Sequence, residues 1–185
     1  KSLCYQAPAM VRSGLTVVVS PLISLMKDQV DGLRQNGVPA AYLASTLSDK
    51  ERAGVEAALS RGELKLLYVS PERMVQSGFL GWLDRLELEA IAIDEAHCIS
   101  HWGHDFRPEY RLLGEVRGER ELPVQALTAT ATERVREDIK TQLGLEDPAE
   151  IIGDFDRPNL TYRVTARTNA LAQVAEICAR HEGEG

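Results

Sequence analysis

The sequence predicts an α/β fold, with a mainly parallel sheet that carries helices on both faces. Two observations support this prediction: short apolar runs alternate with stretches of helical periodicity, and polar residues directly follow each run. Such alternation is typical of βαβ units, whose strands are parallel. The chain has 185 residues, enough for one large domain or for one domain with part of another.

Four runs are predicted to be strands, at 16–20, 64–70, 90–94 and 124–128. The carboxyl ends of parallel strands meet at one edge of a sheet, where ligands bind in folds of this class. We therefore expect the residues that follow these runs to cluster along one rim. They are Ser20, Pro21, Ser70, Asp94, Glu95, Thr128 and Thr130. The alternative for each serine, threonine or proline is a role in helix capping.

The helical stretches begin and end with residues that commonly terminate helices. Pro21 suits the first turn of a helix that Gly37 ends. Ser48 and Glu51 have the spacing of a capping box, before a helix that extends to about residue 61. Thr132 is expected to cap a third helix, which ends near residue 144.

Composition and charge limit the class of protein. The chain is 44% hydrophobic and 26% charged, as expected for a globular protein, and no apolar run approaches a membrane span of about 20 residues. The net charge of −7 argues against a uniformly basic nucleic-acid binder but leaves room for a local groove. Three scattered cysteines favour reduced thiols and a cytoplasmic protein. The chain starts at Lys1 without a methionine, so we expect a piece of a longer protein.

A domain boundary is predicted near the end of the chain. Two proline-containing stretches, at 147–148 and 156–159, interrupt the α/β alternation, and we place the boundary within 154–159. Residues 1–153 would form the first domain. Residues 154–185 would form a linker and the start of a second domain, with a helical pattern over Ala170–Arg180.

The adjacent carboxylates Asp94 and Glu95 end a predicted buried strand. This arrangement suits a nucleotide hydrolase, in which one carboxylate holds Mg²⁺ and the next orients or deprotonates water. The alternative is a surface acidic pair that caps a helix.

Lys1 and Ser2 match the last two residues of a phosphate-binding G-x-x-x-x-G-K-[ST] loop. The match is weak alone because the glycines are absent. Together with Asp94 it forms a coherent site, in which Lys1 meets the β- and γ-phosphates and Ser2 meets Mg²⁺.

A loop with glycine and proline follows the acidic pair and carries Trp102, Phe106 and Arg107. Nucleic-acid bases stack on such side chains. The alternative for Trp102 and Phe106 is packing in the core.

The same region contains His97, Cys98, His101, His104 and Asp105, whose side chains are ligand types that zinc accepts. Their spacing does not match the usual paired-ligand patterns, and no second cluster accompanies them. A structural zinc site is the minor alternative here.

Taken together, the motifs resemble the first motor domain of a RecQ-type superfamily 2 DNA helicase. The segment W-G-H-D-F-R-P-E-Y directly after D-E-A-H is the specific signal, since D-E-A-H alone occurs in many helicases. His101 stands where glutamine is commoner in bacterial members. The similar segments are 1–6 (end of Walker A), 17–30 (motif Ia), 67–73 (motif Ib), 94–97 (Walker B), 100–110 (aromatic-rich loop), 127–132 (motif III) and 155–160 (the crossing into the second domain).

The resemblance implies a RecA-like P-loop NTPase fold and a 3′-to-5′ DNA-unwinding motor driven by ATP. By match, Lys1, Ser2 and Asp94 serve ATP and Mg²⁺, Glu95 activates water, and His97 links the ATP site to motif III. Implied contacts and couplings to single-stranded or forked DNA involve Trp102, Phe106, Arg107, Ser20, Pro21, Ser70, Thr128 and Thr130.

The resemblance also implies what the 185 residues lack. The phosphate-loop glycines and a second RecA-like domain with its arginine finger lie elsewhere in the family, so the chain alone is expected to be nearly inactive. A cytoplasmic, nucleoid-associated bacterial protein of DNA repair and recombination is implied. Two other functions stay open: an RNA-directed DEAH-box ATPase and a non-catalytic DNA-binding module.

Overall fold

The computed structural model describes residues 1–117, 122–153, 158–181 and 183. It divides into two compact units, Lys1–Pro148 and Ala149–Gly185. Within the described residues, no helix is both long and apolar enough to span a membrane.

The first unit is built on a parallel sheet, as predicted. The strand order is β2-β3-β1-β4-β5, and each described neighbouring pair is parallel. The sequence did not predict β2, which is short and has no β-branched residue. The strands are β1 Leu15–Val19, β2 Ala40–Leu43, β3 Leu66–Val69, β4 Leu88–Ile93 and β5 Val124–Ala126.

Helices cover both faces of this sheet. Val17 and Val19 of β1 point into one apolar cluster, whereas Val18 points into the other, because successive side chains of a strand alternate. The helices of the first unit are α1 Leu3–Val11, α2 Ile23–Gln35, α3 Asp49–Ser60, α4 Pro71–Met74, α5 Ser77–Leu83, α6 Pro108–Arg111, α7 Leu113–Arg117 and α8 Glu133–Gln142. Buried residues of α1 and α2 join the cluster of Val18, and those of α3, α4, α5 and α8 join the other.

Two predicted caps are confirmed. The Ser48 hydroxyl accepts a hydrogen bond from the Glu51 amide, and the Glu51 carboxylate accepts one from the Ser48 amide, which completes a capping box for α3. The Thr132 hydroxyl accepts a hydrogen bond from the Val135 amide at the start of α8.

The prediction that Pro21 lies in the first turn of α2 is wrong. The helix begins at Ile23, after Leu22 in an extended conformation. The Pro21 carbonyl accepts a hydrogen bond from the Arg107 guanidinium instead of starting the helical ladder. Gly37, with φ +75°, ends the turn after α2 as predicted.

The strand order reverses direction between β1 and β4. From β1 the chain passes to β2 and β3 on one side, and β4 and β5 then extend the sheet on the other side. A crevice forms at such a reversal, beyond the carboxyl ends of the two strands. The residues that follow β1 and β4 therefore lie at the position where ligands bind in this class of sheet.

The second unit contains α9, Ala170–Arg180, which begins at an Asn169 cap and agrees with the predicted helical pattern. Leu171, Val174 and Ile177 leave an apolar stripe exposed on it. Residues 160–164 form neither helix nor strand. The predicted boundary at 154–159 falls largely on residues 154–157, which lie outside the described residues.

Candidate active site and aromatic loop

The backbone fixes the acidic pair at the end of β4 between two neighbouring strands. The Asp94 amide donates to the Val19 carbonyl at 2.9 Å, and the Ala96 amide donates to the Leu127 carbonyl at 2.9 Å. The buried Tyr110 hydroxyl donates to the Asp94 carbonyl at 3.0 Å. The position of both carboxylates is therefore set by the sheet.

The two carboxylates have different environments. Asp94 is 7% exposed, and burial raises the pKa of its carboxyl group. Its Oδ1 accepts a hydrogen bond of 3.0 Å from the Glu95 amide. The Glu95 side chain is more exposed, and its backbone adopts φ 49°, ψ 44°, the left-handed region that costs energy for a residue other than glycine. The alternative that the two carboxylates are an acidic pair on the surface is therefore wrong for Asp94, which is buried.

Glu95 contacts a cation and an imidazole. Lys1 Nζ lies 2.8 Å from Glu95 Oε1, and His97 Nδ1 lies 3.4 Å from Glu95 Oε2. Ser2 lies at the start of α1, where its carbonyl accepts from the Gln6 amide. The structure thus brings Lys1 to the carboxylate pair, as the motif spacing suggested, with Ser2 beside it in the chain.

His97 is buried in the 3-10 turn Ala96–Ile99 and links two parts of the rim. Its Nδ1 lies 2.9 Å from Thr128 Oγ1. Burial, together with the neighbouring His104, lowers the pKa of His97, so its imidazole is neutral near pH 7. The two imidazole rings stack with centroids 4.1 Å apart.

The hydroxyl groups after β5 complete this network. Thr128 Oγ1 accepts a hydrogen bond of 3.1 Å from the Thr130 amide, and Thr130 Oγ1 lies 3.4 Å from His104 Nδ1. Contacts therefore run from Glu95 through His97 to Thr128 and Thr130.

We call residues 100–107 the aromatic loop. Trp102 is 60% exposed, which contradicts the alternative that it packs in the core. Phe106 is half-buried and stacks on His101 with ring centroids 3.7 Å apart. Arg107 Nη2 pairs with Asp105 at 3.1 Å, and its Nη1 donates to the Pro21 carbonyl at 3.2 Å. The loop thereby contacts the segment that follows β1.

The aromatic loop packs tightly on the turn that carries His97. A Cβ atom at Gly103 would lie 2.3 Å from the His97 carbonyl oxygen, closer than side chains approach backbone atoms. The Arg107 amide also donates to the Cys98 carbonyl at 2.9 Å. A displacement of the loop therefore displaces the turn as well.

The two serines of the rim differ. Ser70 Oγ accepts a hydrogen bond from the Arg73 amide and caps α4, so the capping alternative describes its contact in this structure. Ser20 is 1% exposed, and its hydroxyl has no hydrogen-bond partner among the described residues.

The zinc alternative fails in the structure. Among the residues that the structure describes, no group of three or more His, Cys, Asp or Glu side chains is placed to hold a metal ion. Cys98 is buried, and burial raises the pKa of its thiol to about 11.

Sequence reasoning missed three contacts of the site. His104 entered it only as a possible zinc ligand, and Tyr110 only as part of the aromatic motif, although its hydroxyl anchors the Asp94 carbonyl. Arg134 of α8 lies with its guanidinium carbon 3.3 Å from the centroid of the Trp102 ring. No local pattern signals that contact, because it joins residues distant in the chain.

Comparison with solved structures supports the fold. The helicase domain of Hef from Pyrococcus furiosus aligns with a TM-score of 0.55, at 19% identity, over 78% of this chain and 31% of that one. The helicase Lhr from Mycobacterium smegmatis aligns with a TM-score of 0.50, at 15% identity, over 75% of this chain and 20% of that one. The fold is the RecA-like fold of helicase motor domains.

Comparison with curated sequences gives the family. The DEAD/DEAH box helicase model matches residues 1–139. The ATP-dependent DNA helicase RecQ of Pasteurella multocida is 48% identical over the whole chain, which covers 29% of that protein. The RecQ protein of Bacillus subtilis is 47% identical over 91% of the chain, which again covers 29% of it. The chain thus spans less than a third of the length of these relatives, and it belongs to the DEAD/DEAH box helicase family and is of the RecQ type.

Proposed function

We propose that this chain is the first motor domain of an ATP-dependent DNA helicase. One observation carries the proposal: the water-activating candidate Glu95 shares a contact network with Lys1 on one side and with the aromatic loop on the other. The relatives are ATP-dependent DNA helicases by name, which supports DNA as the substrate. Residues 1–153 form the motor domain in this proposal, and residues 154–185 lead to a second RecA-like domain.

Lys1, Ser2 and Asp94 fit a nucleotide with its magnesium ion. Mg²⁺ is usually held by one or two carboxylates together with substrate phosphates, so Asp94 at the rim is a sufficient protein anchor. The Ser2 hydroxyl would be a further oxygen ligand of the ion, and the Lys1 ammonium would pair with the β- and γ-phosphates. The bound ion supplies neutralisation of phosphate charge.

Glu95 orients and deprotonates the attacking water. In the structure its carboxylate pairs with Lys1 at 2.8 Å. Phosphate oxygens compete for the same ammonium group, so nucleotide binding frees Glu95 for water. The backbone of Glu95 is left-handed, and such strained positions concentrate at functional sites.

DNA binding is sensed by the aromatic loop. Bases stack on Trp102 and Phe106, and Arg107 adds a cation at the same rim. Gly103 lies against the His97 carbonyl, so a loop movement shifts His97 and, through it, Glu95. A small displacement of a catalytic group changes the rate strongly, since positioning dominates phosphoryl transfer.

The direction of translocation and the DNA structure extend this proposal. We propose 3′-to-5′ movement on single-stranded DNA and unwinding of forked duplexes during repair or recombination. Ser20, Pro21, Ser70, Thr128 and Thr130 line the strand path in this view.

The deciding experiment measures ATP hydrolysis by the full-length protein without nucleic acid, with single-stranded DNA and with single-stranded RNA. Strong stimulation by DNA alone supports the proposal. Stimulation by RNA moves the protein to the RNA-directed class. No turnover under any condition would leave a non-catalytic binding module as the better account.

A further inference from the structure

Arg134 stacks on the exposed tryptophan of the aromatic loop. The guanidinium carbon lies 3.3 Å from the ring centroid of Trp102, within the range of a cation–π contact. Trp102 is 60% exposed even with this partner, so most of its surface remains open to solvent.

The arginine is held on a firmly anchored helix. Arg134 lies in the first turn of α8, directly after the Thr132 cap. Val135 and Ile139 of the same helix are buried in the larger apolar cluster. The backbone of Arg134 is therefore fixed while its side chain is exposed, which suits a support for an exposed aromatic side chain.

The charge of Arg134 is available to an anion. It forms no ion pair with a carboxylate in the part of the chain that the structure describes. A stacked guanidinium keeps its N–H donors free in the plane of the group, where they can bind a phosphate. In a chain with a net charge of −7, a free cation at the rim is a specific local attraction for a polyanion.

We propose that Arg134 is a DNA-contacting residue that supports Trp102. It covers one face of the indole, a nucleic-acid base stacks on the other face, and the guanidinium edge binds an adjacent phosphate. This inference rests on the proposed function, since it assumes that the aromatic loop meets single-stranded DNA. It adds a residue of α8 to an interface otherwise assigned to strand ends and loops.

The test compares four variants of the full-length protein: R134A, R134K, W102A and the double variant R134A/W102A. The affinity for a single-stranded oligonucleotide is measured by fluorescence anisotropy at several salt concentrations. ATP hydrolysis is measured against DNA concentration on the same proteins. R61A is the matched control, because Arg61 is an exposed arginine at the end of α3 that is paired with Glu63.

R134A is expected to weaken DNA binding by about five- to tenfold, as loss of a cation–π contact and a phosphate contact implies. The slope of its log affinity against log salt concentration should fall by roughly one, which corresponds to one fewer counterion released. R134K should recover the salt dependence but not the full affinity, because an ammonium does not stack as a guanidinium does. The DNA concentration that half-saturates hydrolysis should rise in R134A in parallel with the loss of affinity, and it should stay at the wild-type value in R61A.

The double variant separates support from independent binding. If Arg134 acts through Trp102, R134A/W102A should lose less than the product of the two single losses. R61A should bind DNA as the wild type does. Multiplicative losses would overturn the supporting role.

Two further outcomes would overturn the proposal. If R134A binds DNA as tightly as the wild type does, Arg134 does not contact DNA. Tighter DNA binding by R134A, or a rise in its DNA-independent hydrolysis, would show that the contact of Arg134 with the indole inhibits these activities. A wild-type protein that neither binds nor responds to DNA would instead overturn the proposed function, so the two failures are distinguishable.

Discussion

Three features constrain the position of the Glu95 carboxylate. Its backbone is left-handed, its carboxylate is ion-paired with Lys1, and its neighbour Asp94 is buried. Each property has a local energetic cost or constraint, and together they place a carboxylate at a fixed point beyond the sheet. Such preorganisation is what orientation of a water molecule requires.

The first prediction concerns proton transfer at Glu95. E95Q keeps the size and a hydrogen-bonding oxygen of the side chain but cannot accept a proton. Hydrolysis by the full-length protein should fall at least about 100-fold, while nucleotide affinity changes little. A fluorescent ATP analogue measures binding and phosphate release measures turnover. Near-normal turnover would remove Glu95 from the catalytic role.

The second prediction concerns the buried carboxyl group of Asp94. Burial raises its folded-state pKa, so the folded chain binds a proton more readily than the unfolded chain does. The ionised carboxylate therefore opposes folding above that pKa, and stability from this group increases as the pH falls. D94N should raise the melting temperature of the nucleotide-free chain at pH 8 by roughly 2–4 °C.

The benefit of D94N should shrink toward acidic pH, where Asp94 is itself protonated. Thermal unfolding at several pH values from 8 down to the ordinary pKa of the group, 3.8, checks this dependence. A lower melting temperature for D94N at pH 8 would show that the carboxylate is stabilised by its surroundings. The substitution would also illustrate a site kept for function at some cost in stability.

At the scale of elements, the acidic pair, the turn Ala96–Ile99 and the aromatic loop form one continuous segment that follows β4. The strand is bonded on both sides within the sheet. The loop is bonded to the turn through the Arg107 amide and lies against it at Gly103. The carboxylate and the stacking residues therefore belong to a single mechanical unit.

The third prediction tests this close packing. G103A places a Cβ atom against the His97 carbonyl, so the loop must shift. We expect a loss of about 1–3 kcal/mol in stability and a marked loss of DNA-stimulated hydrolysis. Thermal unfolding and ATP hydrolysis with and without DNA measure the two effects.

Gly54 provides the matched control, since a Cβ atom at this position in α3 meets nothing within 4 Å. G54A should preserve DNA stimulation and stabilise the helix by up to about 1 kcal/mol. Unchanged DNA stimulation in G103A would show that the loop tolerates displacement without effect on the site.

At the scale of the whole first unit, the parallel sheet brings distant segments to one rim. Pro21 after β1, Glu95 after β4 and Thr128 after β5 are each joined to the turn or the loop by a contact. Under the proposed function, a signal from bound DNA therefore reaches the carboxylate through packed groups of the first unit.

The fourth prediction separates DNA sensing from nucleotide binding. W102A should reduce DNA-stimulated turnover at least about tenfold, because it removes a base-stacking surface. Its ATP affinity should stay near wild type, since Trp102 does not contact Lys1 or Asp94 in the structure. The control is W82F, because Trp82 packs on Phe79 in α5. An equal loss of ATP affinity in W102A would contradict a sensing role.

Much of the fold follows from patterns of short range. Apolar runs of strand length, alternating with amphipathic stretches, require a parallel sheet, because each element must bury its apolar side. The capping box of Ser48 and Glu51 and the cap at Thr132 are local hydrogen bonds, so their residue types and spacing suffice to predict them. β2 escaped prediction because its strand partners, not its residues, decide its conformation.

In the candidate site, too, some features follow from the order of residues and others from tertiary packing. The sequence by itself determined which residues follow the strands and that an aromatic loop comes next, since these are matters of chain order. Only the tertiary structure decided that Arg134 covers Trp102, that His104 stacks on His97, and that Ser20 is buried without a described partner. Those contacts join segments far apart in the chain, and the packing of the whole sheet and its helices sets their distances.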